Sequence, residues 1–171
     1  IIRETCDKYD LTFIADEVQT GVGRTGKWFS IEHWNVVPDI ITTAKGLSGG
    51  FTPLGAVIVR DDIVEAFVRN KSNLVGGHTF SANPVSCAIG IAVLKYIQEN
   101  SLLEKCTEAG VYLKKRLTEL QAAHRIIGDV RGIGLMLGIE FVKDRNTKEP
   151  VRPEQRLGAK VTKECKERGA I

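Results

Sequence analysis

Three short apolar runs near the start of the chain have the length of strands, and polar or glycine-rich segments separate them. They cover residues 11–15, 39–44 and 54–60, and β-branched residues are frequent in them. Continuous apolar runs of this kind are typical of a sheet that is covered on both faces. Residues 1–9 and 61–69 have helical patterns, and Asp61 can cap the second helix. The alternation predicts an α/β layer with a mostly parallel sheet.

Two longer helices are predicted downstream of these strands. The helix over residues 85–98 follows Pro84, a favourable first position, and is apolar nearly all round, so we expect it to be deeply buried. Ser101 to Glu104 match a capping box, and the next helix carries one apolar stripe. That stripe consists of Leu102, Cys106, Ala109, Leu113, Leu117 and Leu120.

The pattern changes in the last third of the chain. Apolar side chains alternate with others from Leu135 to Val142, which is typical of a half-exposed antiparallel strand. Residues 153–168 then have the pattern of a helix. We therefore predict a domain boundary near residue 98, with part of a parallel-type α/β domain in residues 1–98 and part of a smaller α+β domain in residues 99–171.

The two ends of the chain have the patterns of interrupted elements. No Met precedes Ile1, where a helical pattern is already under way. Gly169 to Ile171 look like a helix stop followed by the first residues of a strand. The expectation is an internal fragment of a longer protein.

Composition and charge narrow the function classes. The net charge is +3 with both signs interspersed, which favours neither nucleic acid nor an anionic membrane as a partner. No apolar run approaches the ~18 residues of a membrane span. The four cysteines lie far apart, so we expect reduced thiols in a cytoplasmic protein. A metal site is not expected, because His33, His78 and His124 lack ligand spacing.

Two of the predicted strands run directly into a charged residue. The first ends at Asp16 and the second at Lys45, 29 positions later (45 minus 16). The carboxyl ends of parallel strands meet at one sheet edge, where ligands of open α/β sheets bind. Taken alone, Asp16 could cap a helix or face solvent, and Lys45 could be a surface lysine. A lysine between a buried strand and a glycine-rich loop would, however, be partly desolvated and nucleophilic, so the pair suggests a covalently held aromatic cofactor.

The glycine run from Gly21 to Gly26 matches the G-x-G-x-x-G pattern of dinucleotide sites. Residues 16–20 separate it from the strand, however, and their carboxylates would lie near the pyrophosphate. The run also resembles a P-loop, but Trp28 stands where a Mg²⁺-binding Ser or Thr is required. We interpret the run as a tight irregular loop that needs positive φ angles.

The segment from Gly76 to Pro84 precedes the apolar helix. Its backbone amides and hydroxyls could hold a phosphate. An ordinary loop with capping residues for the helix explains the same sequence equally well. His78 is interpreted as structural.

Four segments together resemble the class III pyridoxal-phosphate aminotransferases, which have the fold-type-I architecture. They agree with that family in order and spacing across nearly the whole chain. They are Asp16 to Gly26, Pro38 to Gly46, Gly77 to Pro84 and Val130 to Glu140. The resemblance implies that residues 1–98 are part of the cofactor-binding large domain and that residues 99–171 are part of the C-terminal small domain.

The resemblance also implies individual roles. Lys45 would form the internal aldimine with pyridoxal 5'-phosphate and move the substrate proton. Asp16 would keep the pyridinium nitrogen protonated, so that the ring acts as an electron sink. Val18 would pack on one ring face and Gln19 would reach the phenolic oxygen. Thr79 would bind the cofactor phosphate of the neighbouring subunit, so the enzyme would be at least a homodimer.

The remaining parts of such a site are expected outside this chain. The main phosphate loop and the ring-stacking aromatic would precede Ile1, and the arginine for a substrate carboxylate would follow Ile171. Arg131 matches the family but is interpreted as a structural residue at a strand entry.

The expected activity is transamination from an amino acid or ω-amino donor to a keto acid. The segment from Gly77 to Phe80 looks like family members that use ω-amino donors with pyruvate as acceptor. A same-fold aminomutase, racemase or decarboxylase would use the same residues. A third hypothesis is a non-catalytic fragment that binds the cofactor weakly or not at all by itself.

Overall fold

The computed structural model describes residues 1–73 and 76–170. The chain divides into two compact units, Ile1–Thr107 and Glu108–Ile171, and the division falls within a long helix. The assignment of residues 1–98 and 99–171 to two domains stays a prediction. Among the described residues, no helix has the length and apolar character needed to cross a membrane. The four cysteines are free thiols.

The first unit contains a three-stranded sheet and the helices that flank its strands in sequence. The strands are β1 (Ile14–Asp16), β2 (Ile40–Thr43) and β3 (Ala56–Val59), and the helices are α1 (Ile2–Lys8), α2 (Asp61–Arg69) and α3 (Pro84–Glu99). Helix α4 (Leu102–Ala123) begins in this unit and continues into the second. The predicted helices are thus confirmed, with one detail corrected. The N-cap of α2 is Arg60, and Asp61 is the first residue of the helix.

Strands β1 and β2 are parallel, as predicted, and Asp16 pairs with Thr42 at their carboxyl ends. Strand β3 is antiparallel to β2, so this sheet contains one parallel and one antiparallel pair of strands. Parallel neighbours need a crossover connection, usually a full helix. Residues 44–55 contain only the short 3₁₀ helix Lys45–Ser48, so the chain turns back beside β2.

The start of β2 is fixed by the carboxylate of Asp39, which is 7% exposed. Asp39 accepts hydrogen bonds from the Arg3 guanidinium at 2.8 Å, the Phe13 backbone N–H at 2.7 Å and the Arg60 guanidinium at 2.5 Å. These donors come from α1, from the residue before β1 and from the residue after β3. One carboxylate therefore joins the elements on all sides of the central strand.

Helix α3 is less buried than its apolar sequence predicts. Only Gly90 and Ile97 are buried, whereas Val85 is 66% exposed. The helix packs on the segment after Lys45 through Gly90, where an added Cβ would lie 2.6 Å from Leu54 Cδ2. A helix that is apolar on all sides can pack against several neighbours. Within the first unit, α3 packs against its neighbours mainly along this one side.

The second unit contains an antiparallel sheet and a helix. The elements are β4 (Ile127–Ile133), β5 (Met136–Asp144), β6 (Glu149–Pro150) and α5 (Leu157–Glu167). The antiparallel strand expected near residues 135–142 is confirmed as β5, whereas the sequence interpretation did not separate β4 from it. The alternation is imperfect, because Val142, on the face predicted to be exposed, is 3% exposed beside a register shift.

The predicted helix over residues 153–168 is present with an irregular start. A 3₁₀ turn, Pro153–Gln155, precedes α5, and Arg156 between them has a φ of 46°. Gly169 follows the helix with a φ of 88°, in agreement with a helix stop. The strand expected to begin at Ile171 lies outside the described residues.

Candidate active site

Asp16 and Lys45 occupy the same edge of the first unit's sheet. Asp16 is the last residue of β1, and its Oδ1 accepts hydrogen bonds from the Val18 backbone at 3.0 Å and from Thr42 Oγ1 at 3.3 Å. Lys45 begins the 3₁₀ helix just beyond the end of β2. Since Thr42 pairs with Asp16 and lies three positions before Lys45, the two residues Asp16 and Lys45 stand at neighbouring strand ends.

Lys45 is exposed, in contrast to the partial burial that the sequence suggested. It has a φ of 43°, and the residue after it, Gly46, is exposed as well. The amine therefore remains in contact with solvent in this unit. Thr43 at the end of β2 is buried, but this burial does not extend to a side chain on the first turn beyond the strand.

Glu17 is the buried acid at this sheet edge, with 2% of its surface exposed. Its Oε1 accepts hydrogen bonds from Ser30 Oγ at 2.7 Å and the Ile31 N–H at 2.8 Å. Its Oε2 accepts from Thr20 Oγ1 at 2.5 Å and the Ser30 N–H at 3.0 Å. Burial pushes the pKa of Glu17 upward, but the hydrogen bonds from Thr20, Ser30 and Ile31 outweigh it and leave the pKa below its ordinary value.

These contacts decide which of the two adjacent carboxylates can bind a ligand. A carboxylate has about four acceptor positions, and Glu17 uses four. Asp16 is exposed, and its Oδ2 accepts no hydrogen bond from the described residues. The available carboxylate is therefore that of Asp16. Sequence reasoning missed Glu17, because three of its four hydrogen bonds come from Ser30 and Ile31, which lie 13 and 14 positions away and leave no local signal.

The glycine run forms the irregular loop that was predicted for it. Val22, Gly23 and Gly26 have φ angles of 54°, 90° and 86°, and a Cβ added to Gly21 would lie 2.7 Å from the Glu17 carbonyl oxygen. The next element is the 3₁₀ helix Ser30–Trp34, so no α-helix opens on the glycines as a dinucleotide site requires.

This loop packs against the turn that carries Lys45. A Cβ added to Gly46 would lie 3.0 Å from the Cβ of Val22, so the close approach depends on glycine. On its other side, the Arg24 carbonyl oxygen accepts a hydrogen bond from the buried thiol of Cys106 at 3.3 Å. The loop thus lies between the lysine turn and the beginning of α4.

The other predicted cofactor contacts lie in two places. Val18 is half-buried and Gln19 is exposed, both directly after Asp16. Thr79 is exposed in the loop before α3, and no hydrogen bond among the described residues joins it to Asp16 or Lys45. The capping interpretation of this loop is confirmed, because Asn83 Oδ1 accepts from the Val85 and Ser86 N–H groups, both at 3.1 Å.

Arg131 lies inside β4 rather than at its entry. Its Nη1 contacts Asp129 Oδ2 at 2.8 Å and Glu140 Oε2 at 2.6 Å, and its side chain is 62% exposed. The hydrogen bond from Arg131 holds the pKa of Asp129 below its ordinary range. Its contacts are those of a cross-strand ion-pair cluster, in keeping with a structural role.

Comparison with known proteins finds similar chains over the whole length. The family model described as aminotransferase class-III matches residues 1–171. The chain is 44% identical over 170 residues to the uncharacterized aminotransferase YodT of Bacillus subtilis, which is 99% of this chain and 38% of that protein. It is 46% identical over 154 residues to the taurine–pyruvate aminotransferase of Bilophila wadsworthia, which is 88% of this chain and 34% of that protein.

A solved structure agrees with these relatives. The structure of a transaminase from the marine bacterium Virgibacillus is similar to this chain with a TM-score of 0.93 and 38% sequence identity. The match covers 98% of this chain and 38% of that one. The chain therefore spans well under half the length of the proteins it matches.

Proposed function

Since the chain belongs to the class-III aminotransferase family, we propose that the whole protein is a transaminase that depends on pyridoxal 5'-phosphate. It would move an amino group from an amino acid or ω-amino donor to a keto acid. The observation that carries the proposal is the placement of Asp16 and Lys45 at neighbouring strand ends, with Glu17 excluded from binding by its own hydrogen bonds.

The residues at this sheet edge fit the cofactor in chemical terms. Pyridoxal phosphate presents a ring nitrogen, an aldehyde, a phenolic oxygen and a phosphate. The chain offers a carboxylate with an open oxygen (Asp16), an accessible amine (Lys45) and an exposed amide (Gln19). The hydroxyl of Thr79 is an exposed donor for the phosphate.

When bound, the cofactor supplies an electron sink for the carbanion that deprotonation of the substrate creates. Lys45 Nζ would hold the cofactor through its aldehyde carbon and, once released, would carry a proton between the substrate carbon and that same cofactor carbon. Asp16 would keep a proton on the ring nitrogen through its Oδ2. Val18 would pack on one face of the cofactor ring, and Gln19 would orient the ring by donating a hydrogen bond to the phenolic oxygen.

The substrate and assembly proposals rest on narrower support. The resemblance of residues 77–80 and the taurine–pyruvate aminotransferase among the relatives favour an ω-amino donor with pyruvate as acceptor. The exposed position of Thr79 is compatible with a homodimer in which it binds the phosphate in the neighbouring subunit. The four free thiols favour a cytoplasmic location.

The test begins with the attachment site. The whole protein is loaded with pyridoxal phosphate, reduced with borohydride and mapped by mass spectrometry. We expect the label on Lys45 and none on the Lys45→Ala protein, which should also lose essentially all turnover. Lys27→Ala is the control, because Lys27 is an exposed lysine in the glycine loop. A labelled, active Lys45→Ala protein would refute the proposal.

The reaction type is tested separately by analysis of the products. A transaminase consumes its amino donor only when a keto acid acceptor is present. If racemised, rearranged or decarboxylated products form without an acceptor, the protein catalyses one of the other reactions of this fold instead of transamination.

A further inference from the structure

We propose that Glu17 is a positioning residue, which holds the segment of Asp16, Val18 and Gln19 in the arrangement that receives the cofactor. It acts by fastening this segment to the first turn of the 3₁₀ helix Ser30–Trp34. The inference rests on the proposed function for the identity of the cofactor, but the fastening itself is a property of the cofactor-free chain.

The first support is the set of contacts around the Glu17 carboxylate. Each oxygen accepts one backbone N–H and one hydroxyl, and the N–H groups belong to Ser30 and Ile31. The carboxylate therefore ties the residue after β1 to a site 13 and 14 positions further along. The depressed pKa of Glu17 agrees with a carboxylate that is ionised while it accepts these hydrogen bonds.

The second support is the backbone of Glu17. Its N–H donates to the Thr42 carbonyl oxygen at 2.9 Å, which extends the pairing with β2 by one residue. Its carbonyl oxygen accepts from the Gly21 N–H at 2.9 Å, which closes a turn over residues 17–21. Val18 and Gln19 lie inside this turn and Asp16 lies directly before it, so Glu17 anchors all three.

The third support is the link from this turn to the lysine. Val22 follows the turn and contacts Gly46, the residue after Lys45. The Val22 N–H also donates to the Trp28 carbonyl oxygen at 2.7 Å, close in sequence to the residues that bind Glu17. A displaced turn would therefore disturb both the carboxylate side and the amine side of the site.

A direct chemical role for Glu17 does not fit the same contacts. The side chain is 2% exposed and its oxygens are occupied by donors from the chain itself. A group that neither reaches solvent nor has an open acceptor position cannot exchange a proton with a substrate. Its contribution to the reaction must pass through the residues that it holds.

The test compares Glu17→Gln with Glu32→Gln in the whole protein. Whichever way the introduced amide is turned in Glu17→Gln, its NH₂ replaces an oxygen that accepts a backbone N–H, so two donors face each other. Glu32 lies in the same 3₁₀ helix, but it is exposed, and among the described residues its one hydrogen bond is accepted by Oε1 from the Phe29 N–H at 2.7 Å. A glutamine carbonyl oxygen can replace that one acceptor.

Three measurements are made on both variants. We expect Glu17→Gln to raise the dissociation constant for pyridoxal phosphate about ten-fold or more, as expected for an unpaired buried polar group. Amide hydrogen exchange of residues 18–22 in the cofactor-free protein should accelerate by about the same factor. The pH at which the absorbance of the bound cofactor changes should also shift, because Asp16 is displaced. Glu32→Gln should match the wild type in all three.

Thr20→Val provides a second variant if Glu17→Gln does not fold, since it removes one donor and keeps the shape of the side chain. It should change the same three quantities in the same direction by a smaller factor. Wild-type exchange at residues 18–22 and wild-type cofactor affinity in both variants would overturn the inference. If the wild-type protein itself takes up no pyridoxal phosphate, the proposed function fails, and the exchange measurement still decides the role of Glu17.

Discussion

At the scale of single residues, the candidate site depends on two adjacent acids with opposite surroundings. Successive side chains point to opposite faces of a strand, so Asp16 and Glu17 separate at the end of β1. Asp16 remains exposed and can receive a ligand, whereas Glu17 is enclosed by donors from the chain. The two acids thus differ in what they can bind, because Asp16 keeps an open oxygen at the surface and Glu17 is held by internal hydrogen bonds.

Replacement of Asp16 by Asn tests the role of its charge. The amide oxygen can still accept the hydrogen bonds from the Val18 N–H and Thr42 Oγ1, so the fold should be retained. A charge pair that loses one partner costs roughly 2 kcal/mol or more, so we expect kcat/KM to fall by at least about thirty-fold.

The control for this variant is Asp61→Asn, which removes an exposed carboxylate from the first turn of α2. It should leave kcat/KM within about two-fold of the wild type. Equal activity of the Asp16→Asn protein and the wild type would exclude Asp16 as the partner of the ring nitrogen.

The sequence predicts the residues of the candidate site only where the signal is local. Asp16 and Lys45 directly follow apolar runs, and both lie at the ends of parallel strands as expected. The burial of Glu17 depends on Ser30 and Ile31, which approach only after the glycine loop has folded back. The exposure of Lys45 likewise depends on how the chain turns after β2.

At the scale of elements, the central strand is fixed by one carboxylate with donors from three directions. Asp39 joins α1 through Arg3, the start of β1 through Phe13 and the end of β3 through Arg60. The hydrogen bond from Arg3, followed by that from the Phe13 N–H, holds the pKa of Asp39 below its ordinary value. Strand β2, which has Lys45 just beyond its end, is therefore anchored at its beginning.

Stability should depend on pH through this carboxylate. The folded-state pKa of Asp39 is depressed, so its contribution is complete above the unfolded-state value of about 3.9 and is lost as the pH falls through the folded-state pKa. Asp39→Asn should lower the free energy of unfolding by about 2 kcal/mol at pH 7. The difference from the wild type should shrink below about pH 4.

Asp7→Asn is the control, measured by the same denaturant unfolding across pH. Asp7 contacts the same Arg3 at 2.7 Å, but its side chain is 64% exposed. Exposed ion pairs contribute only about 0–1 kcal/mol, so this variant should change little. A loss in Asp39→Asn that stays constant from about pH 7 to about pH 3 would contradict an electrostatic origin.

The bounds of the helices could be predicted closely from the sequence for a physical reason. Periodicity and capping residues are local, so α2 and α3 agree with their predicted bounds within one or two residues. The direction of β3 depends on what the connection after β2 can span, and the separation of β4 from β5 depends on a turn at Gly134. Burial of α3 depends on neighbours that its own sequence does not identify.

At the scale of the whole molecule, large apolar side chains remain exposed in the first unit. Phe51 and Phe80 are each 81% exposed, and Val85 is 66% exposed. Phe80 and Val85 lie beside Thr79 and in the first turn of α3, respectively. A subunit interface near this loop would cover apolar surface and bring Thr79 toward a neighbouring site.

Complementation between two variants tests this arrangement. If Thr79 completes the site of the other subunit, a mixed dimer of Lys45→Ala and Thr79→Val subunits contains one site with both wild-type residues. Random reassembly should then restore about a quarter of the wild-type activity, because half of the dimers are mixed and each has one intact site of two.

The comparison is the double variant, Lys45→Ala with Thr79→Val, mixed with wild-type subunits under the same conditions. In that mixture the hybrid dimers contain no intact site if Thr79 acts across the interface, whereas one site stays intact if it acts within its own subunit. No restored activity from the two single variants, although hybrid dimers form, would assign Thr79 to its own subunit.

The order of the first three strands also bears on synthesis of the chain. All three lie between Ile14 and Val59, and the middle strand pairs with the strand before it and the strand after it. A ribosome releases the chain from its N-terminus, and pairings between nearby segments close only short loops at a small entropic cost. Once residues 14–59 have left the ribosome, this segment can therefore set Asp16 beside Thr42, with Lys45 just beyond, without waiting for the rest of the chain.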